Sequence, residues 1–483
     1  MLPPTSVVRQ RSTLETVQDA ISDYATPTIR LGVTGLSGAG KTAFITALVR
    51  NLISAHRLPH FEASASGRLK RAFLTPLTSD DIPRFPFEAH HRSLIGDPPT
   101  WPASTRHVSH LRLTLQVTPQ TTWGWAVGSD RVHLDITDYP GEWLLDLALM
   151  EQSFDTWSER VFSRLTRSDH DDIARPFLTQ VDALRDDADY DEETLQSLAE
   201  VYTTYVRAAR AKPPALATLG PGRFLEPGEK AQSQALTFAP LPPALRQVSG
   251  GLASECARRF EAYKTGFVKP FFNEHFSRLD RQIVLVDALA ALNGGEQALG
   301  DLRAALSASL GAFRPGQSSW LRRLIGAHRI DRVLFAATKA DQIPSDSHDR
   351  LRSIMRLLVD QSAAHVADQG ADFQYRAIAA VRATEQRQRQ DGGHDIVVLR
   401  GRPKAGEVVA GKTYDGREAI EYAPGDLPQD PAKAIQSAEA GRFSLAEFRN
   451  FAPPDLPGRE TDEPWPHIGL DYALEFLLGD RMP

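Results

Sequence analysis

The sequence predicts an α/β protein: a mainly parallel sheet with helices on both faces, interrupted by a large helical insertion and a small β insertion. Three observations predict it. Short apolar, β-branched runs recur at residues 28–34, 281–287, 332–337 and 374–380, with helical patterns between them. The first run leads through a glycine-rich turn into a helix. Residues 143–280 show helical spacing and no strand pattern, so they stand outside that alternation.

The bulk numbers set the frame. At 483 residues the chain is too long for one ordinary core. Its 41% hydrophobic and 24% charged residues are globular proportions. A net charge of −6 gives no basic field for nucleic acid. The single cysteine, Cys256, excludes an intrachain disulfide and fits a reducing compartment. No apolar run has the length of a membrane span. Residues 1–27 carry Arg9, Arg11, Glu15 and Asp19 and no apolar core, so they do not read as a signal peptide. The expectation is a cytoplasmic protein, with peripheral membrane attachment left open.

Taken in order, Leu14, Val17, Ile21 and Tyr24 have helical spacing and predict a lead-in helix within residues 1–27. The first part of the core spans 28–142. Strand 28–34 runs into Gly35-Leu36-Ser37-Gly38-Ala39-Gly40-Lys41-Thr42, and Ala43 opens an apolar helix. The stretch fits G-x-x-x-x-G-K-[ST] in the context of strand, loop and helix that this motif requires. The glycines let successive N–H groups turn inward on phosphate oxygens, and the helix N-terminus adds partial positive charge. Gly35, Ser37, Gly38, Ala39, Gly40, Lys41, Thr42 and Ala43 are therefore the predicted phosphate cradle. Lys41 supplies charge to the β- and γ-phosphates, and Thr42 a hydroxyl for Mg²⁺.

Residues 54–107 show little periodicity. In a P-loop protein this place holds the first nucleotide-sensing switch. Thr75, Thr78, Thr100 and Thr105 are candidates to reach Mg²⁺, and Arg84, Arg92 and Arg106 to reach the γ-phosphate; the sequence does not choose among them. Residues 110–117 and 131–136 alternate with period two and predict a hairpin. It ends in Asp138-Tyr139-Pro140-Gly141, a D-x-x-G at a strand end. Asp138 suits the metal, and the Gly141 N–H suits the γ-phosphate.

From 143 to 280 the pattern is helical. Trp143, Leu147, Met150, Phe154, Trp157 and Val161 predict one apolar stripe on one helix. The acidic cluster Asp186, Asp187, Asp189, Asp191, Glu192 and Glu193 lacks the spacing of a calcium loop and reads as a solvated turn. The core resumes over 281–384. There Thr338-Lys339-Ala340-Asp341 ends a strand and matches [NT]-K-x-D, with Thr in place of Asn. A carboxylate at Asp341 can accept from guanine N1–H and N2–H₂, whereas adenine offers no donor at either place. The stem of Lys339 suits the face of the base, and a backbone N–H at Ala380 or Val381 suits guanine O6. Residues 385–425 predict a small β insertion in which 396–399 pairs with 417–422. Residues 426–483 end in a helix marked by Leu470, Leu474, Leu477 and Leu478 that packs on the core.

The chain resembles the YcjX family of bacterial P-loop proteins over almost its whole length. The resemblance rests on residues 33–46, on D-Y-P-G-E-W-L-L-D at 138–146, on R-F-L-E-P-G-E at 223–229, on D-R-Q-I-V-L-V-D at 280–287 and on A-T-K-A-D at 337–341. It implies a P-loop NTPase (Ras-like GTPase) core carrying the helical insertion. It further implies a role in envelope stress and a YcjF-like inner-membrane protein as partner.

In Ras-type enzymes the residue after the D-x-x-G glycine is a Gln that orients water. Here it is Glu142, a carboxylate that a triphosphate repels. Lys41 and Glu142 are the candidate catalytic residues, and slow turnover is expected. The leading expectation is a regulatory GTPase with bound GTP or GDP and Mg²⁺, its helical insertion reporting nucleotide state. An ATPase of the same fold and a nucleotide-binding scaffold with little hydrolysis are the alternatives.

Overall fold

The apolar, β-branched run at Thr28–Gly35 forms strand β1, and the strands that flank it bury it from both sides. The computed structural model describes residues 26–36, 38–54, 58–77, 82–103, 107–120, 130–165, 171–184, 191–211, 220–225, 232–246, 251–313, 330–362, 371–409, 411–443, 450–458, 461 and 463–483. The lead-in helix expected at 13–24 lies outside them, as do Ser37, Thr78, Thr105, Arg106, Asp186, Asp187 and Asp189.

The main sheet has seven strands: β1, β2 (Leu69–Thr75), β3 (Ser109–Val117), β4 (Arg131–Asp138), β5 (Arg281–Val286), β6 (Arg332–Ala337) and β7 (Asp372–Ala377), in the order β2-β3-β4-β1-β5-β6-β7. β1 runs parallel to β4 and β5, and β5, β6 and β7 are parallel to one another. Only the β2–β3 and β3–β4 pairings are antiparallel. The predicted hairpin is β3–β4. β2 was not expected. It is an edge strand of sequence L-K-R-A-F-L-T whose register shifts between Leu69 and Arg71, and that irregularity erases the alternation that marks a strand.

Helices cover both faces because successive strand residues point to opposite sides. Ile283 and Leu285 of β5 face one apolar cluster with Leu31, Val33, Leu134 and Ile136. That side is closed by α1 (Lys41–Ile53) through Phe44, Ile45, Leu48 and Leu52. It is also closed by the predicted C-terminal helix through Leu470, Leu474 and Leu477, each contributing about 2 kcal/mol by burial. Val284 and Val286 face the other cluster with Val333 and Phe335. Short helix α2 (Phe87–Leu94) packs on α1.

The second cluster continues without a break into a helical segment made of α3 (Gly141–Asp146), α4 (Phe154–Leu165), α5 (Asp171–Asp182), α6 (Glu192–Ala211) and α7 (Gly251–Tyr263). The single helix expected through Trp143–Val161 is not formed. α3 passes into a 3-10 turn at Leu147–Glu151, and Gln152 is extended at φ −105°, ψ 142°, before α4 starts. Both pieces still bury apolar residues, so the stripe pattern survives although the helix does not. Asp191, from the acidic cluster, accepts the N–H of Thr194 at 2.9 Å and caps α6. Among the described residues, no helix is long and apolar enough to cross a membrane.

Beyond β7, Thr384–Asp391 and His394–Gly401 form a hairpin, and Ile420–Tyr422 pairs with the latter strand. The expected pairing of 396–399 with 417–422 is displaced: residues 396–399 pair with 386–389, and 420–422 meets 399–401, so only Leu399 and Tyr422 pair as expected. The first strand, T-E-Q-R-Q-R-Q-D, has no apolar residue to signal it.

Candidate functional site

The C-terminal ends of β1, β4, β6 and β7 lie on one edge of the sheet, where open α/β sheets bind ligands. A cavity of about 890 Å³ opens there, within the range of small-molecule sites. Gly35, Gly38, Ala39, Gly40, Lys41, Thr42 and Ala43 form one wall. Gly141 and Glu142 form a second, and Thr338, Lys339, Asp341, Ala380 and Val381 a third. Residues predicted from separate stretches thus meet in one space.

The loop's geometry follows from its glycines. Gly40 sits at φ 78°, which residues with a Cβ rarely adopt, and its carbonyl accepts the N–H of Phe44 at 2.9 Å to start α1. Gly141 presses on the loop so closely that a Cβ there would lie 2.4 Å from the Gly35 carbonyl oxygen. This contact fixes the start of α3 against the start of the loop. Parallel pairing of Val33 with Asp138 brings the D-x-x-G aspartate alongside. Lys41 Nζ donates to Asp138 Oδ1 at 2.7 Å, in a pair whose side chains are 10% and 1% exposed.

At the other end Asp341 is buried. Its Oδ2 accepts the Ala383 N–H at 2.8 Å, and its carbonyl accepts from the Thr384 hydroxyl. Burial pushes its carboxyl up to about 6, against the pull of the Ala383 N–H. Lys339 has φ 60°, an uncommon conformation for a residue with a Cβ, and its ammonium pairs with Asp287 Oδ2 at 2.5 Å. The Thr338 hydroxyl donates to the Val286 carbonyl at 3.3 Å, so it ties β6 to β5. Ala379 and Arg382 commit their N–H groups to the carbonyls of Ile468 and Pro466. Among the described residues, no carbonyl accepts from Ala380 or Val381 between them.

The four described switch candidates, Thr75, Thr100, Arg84 and Arg92, do not gather here. The Thr75 hydroxyl meets that of Thr114 at 2.6 Å within the sheet, and Thr100 donates to the Ser93 carbonyl. Arg84 pairs with Glu88, and Arg92 donates to the Glu88 carbonyl; α2 thus absorbs both arginines. None of these four residues lines the cavity. Among the described residues of the 54–107 region, Trp101 and Pro102 line it.

Sequence reasoning also missed Arg207 and Arg210 of α6, and Lys404 and Asn450, all of which line the cavity. No local motif marks them. The D-Y-P-G-E-W-L-L-D and R-F-L-E-P-G-E stretches were a signal, because their residues meet. Asp146 accepts from the Gly222 N–H at 2.9 Å and from the Tyr263 hydroxyl at 2.5 Å, and Arg223 lies over the Trp143 ring. Burial pushes the Asp146 carboxyl up to about 6, against these two donors.

The model of the YcjX-like family, DUF463, matches residues 29–482. The chain is 36% identical over 470 residues to a protein of Escherichia coli (strain K12) named Ras-like GTPase YcjX, an alignment covering 94% of this chain and 96% of that protein. It is 34% identical over 478 residues to a Shewanella oneidensis protein of the same name, covering 94% of each.

Proposed function

This chain belongs to the YcjX-like family, and from that premise we propose that it binds guanine nucleotides and slowly hydrolyses GTP to GDP with Mg²⁺. The observation that carries the reading is the single cavity. It joins the described residues of the phosphate-binding loop to a buried carboxylate beyond the end of β6. The name of the two relatives points the same way.

In this reading the phosphates lie along Gly35–Ala43 (Ser37 included) and the Gly141 N–H meets the terminal one. Thr42 and Asp138 would hold Mg²⁺. A hydroxyl and a carboxylate at the phosphate end are the hard oxygen donors that ion takes, and when bound it neutralises charge across the β- and γ-oxygens. Lys41 exchanges Asp138 for phosphate when the nucleotide arrives. Asp341 accepts from guanine, the Lys339 stem lies along the base, and an amide of Ala380 or Val381 donates to O6. Thr338 acts by tying the strand ends.

The helical segment reports nucleotide state through α3, whose first residues face the phosphates and whose last, Asp146, is held by Gly222 and Tyr263. Work on the cytoplasmic side of the inner membrane, in envelope stress and beside a YcjF-like protein, is part of the same proposal.

A second reading is favoured by one observation. Glu142 stands where a water-orienting Gln is usual, and within the cavity wall it pairs with Arg210. A nucleotide-binding scaffold with little hydrolysis would look the same. Single-turnover assays with Mg²⁺, in which GTP and ATP compete, test both readings. Phosphate release from GTP in preference to ATP is expected. Binding without release supports the scaffold, and preference for ATP overturns the guanine assignment.

A further inference from the structure

The phosphate end of the cavity is walled in part by a residue from outside the nucleotide core. Near its C-terminus α6 turns Arg210 toward α3, and Arg210 Nη1 lies 3.7 Å from Glu142 Oε1. The two side chains are only 11% and 17% exposed, and both line the cavity. Glu142 follows Gly141, which touches the Gly35 carbonyl at the start of the phosphate loop. The guanidinium thus pairs with Glu142 in the wall that meets the phosphate loop, the loop whose Lys41 lines the cavity and pairs with the buried Asp138.

That end carries two cation–carboxylate pairs of different closeness, Lys41–Asp138 at 2.7 Å and Arg210–Glu142 at 3.7 Å. A nucleoside triphosphate brings dense negative charge to the same place. It repels both carboxylates and attracts both cations, and a guanidinium's planar fork suits two oxygens of one phosphate. The looser pair is the one more readily exchanged. The mounting is also firm. The Asp146 bonds to Gly222 and Tyr263 and the stacking of Arg223 on Trp143 lock α3 to the helical segment that carries Arg210.

We propose that Arg210 is a catalytic residue supplied in cis by α6. With GTP bound, its guanidinium leaves Glu142 and donates to oxygens of the terminal phosphate. The inference rests on the GTPase reading above. In the step it assists, a water oxygen forms a bond to the γ-phosphorus. The bond from that phosphorus to the β–γ bridging oxygen breaks, and its electron pair stays on the β-phosphate of GDP. The protons of the water end on inorganic phosphate and in solvent. Charge building on the γ- and bridging oxygens is what Arg210 offsets.

The test compares the full-length wild type with Arg210→Ala and Arg210→Lys. It measures single-turnover GTP hydrolysis, GDP affinity by calorimetry, and trapping of the GDP–aluminium fluoride complex, which mimics the transferring phosphoryl group. Arg210→Ala should slow hydrolysis by about 100-fold or more and abolish trapping, with GDP affinity within about twofold of wild type. Arg210→Lys keeps the charge without the fork and should recover only a small part of the rate; it also serves if the alanine variant fails to fold. Wild-type rate and trapping in either variant overturn the proposal, as does loss of GDP affinity in step with rate, the mark of a merely structural role. A wild type that binds no guanine nucleotide sinks the GTPase reading itself, and the inference with it. One that binds GTP but releases no phosphate overturns the inference and supports the scaffold reading, while the guanine assignment stands.

Discussion

On the proposed reading, the two ends of the cavity recognise a nucleotide by different means. At the phosphate end, one contiguous loop and the strand beside it supply backbone amides, one cation and one carboxylate, and Lys41 and Asp138 already pair at 2.7 Å. At the proposed base end a single carboxylate would carry the selectivity, and the Ala383 N–H that holds it comes from beyond the next strand. The phosphate end is thus redundant in its contacts and general in what it accepts. The base end is sparse and selective. Substitutions at the first should cost affinity for any nucleotide, and those at the second should change which nucleotide is preferred.

The largest effect is expected at Lys41. Lys41→Ala removes a charge-assisted phosphate contact of roughly 3 kcal/mol, so GTP affinity or turnover should fall about 100-fold. It also deprives the buried Asp138 of its cation. The ligand-free melting temperature should drop, and adding Asp138→Asn should restore much of it. Unchanged affinity and turnover would break the phosphate-loop assignment.

Asp138→Ala separates metal from phosphate. If Asp138 acts through an ion that spans the β- and γ-oxygens, GTP should lose about thirtyfold more affinity than GDP, roughly 2 kcal/mol. Equal losses in a side-by-side titration would place Asp138 elsewhere in the scheme.

A smaller, graded effect is expected with pH, and only at the base end. The Asp341 carboxyl is held at about 6 by burial. Below that pH it is protonated and loses the charge with which, on the proposed reading, it would accept from guanine. GDP affinity should therefore fall as pH falls through 6, by up to about tenfold per pH unit. ADP affinity should stay flat over the same range, as should GDP affinity in Asp341→Asn. A GDP profile that is level from pH 7 to 5 would count against the carboxylate.

This contrast also explains what could be read from the sequence. The phosphate loop is legible because its contacts are local: glycines, Lys41 and Thr42 act within a few residues of one another. The central strands are legible because burial on both faces makes them nearly continuously apolar, as in Ile283–Val286. Edge strand β2 is not, since a bulge and exposed charges break its alternation. The arginine wall is not legible at all. Arg210 faces Glu142 only because α6 packs back on α3, a tertiary fact with no periodic trace. For the same reason, Arg84 and Arg92 could not be separated from the other candidates within 54–107 before α2 was seen to bind them.

The central claim is that Asp341 reads guanine. The Ala383 N–H holds one carboxylate oxygen, so in Asp341→Asn the amide oxygen should take that place and turn its NH₂ toward the base. Guanine would then meet a donor facing its own donor, whereas xanthine, with a carbonyl at that position, would meet a complement. Calorimetric affinities of wild type and Asp341→Asn for GDP, XDP and ADP measure this directly. The account predicts at least a roughly tenfold loss for GDP, a gain for XDP and no change for ADP. GDP affinity that survives the substitution would contradict it.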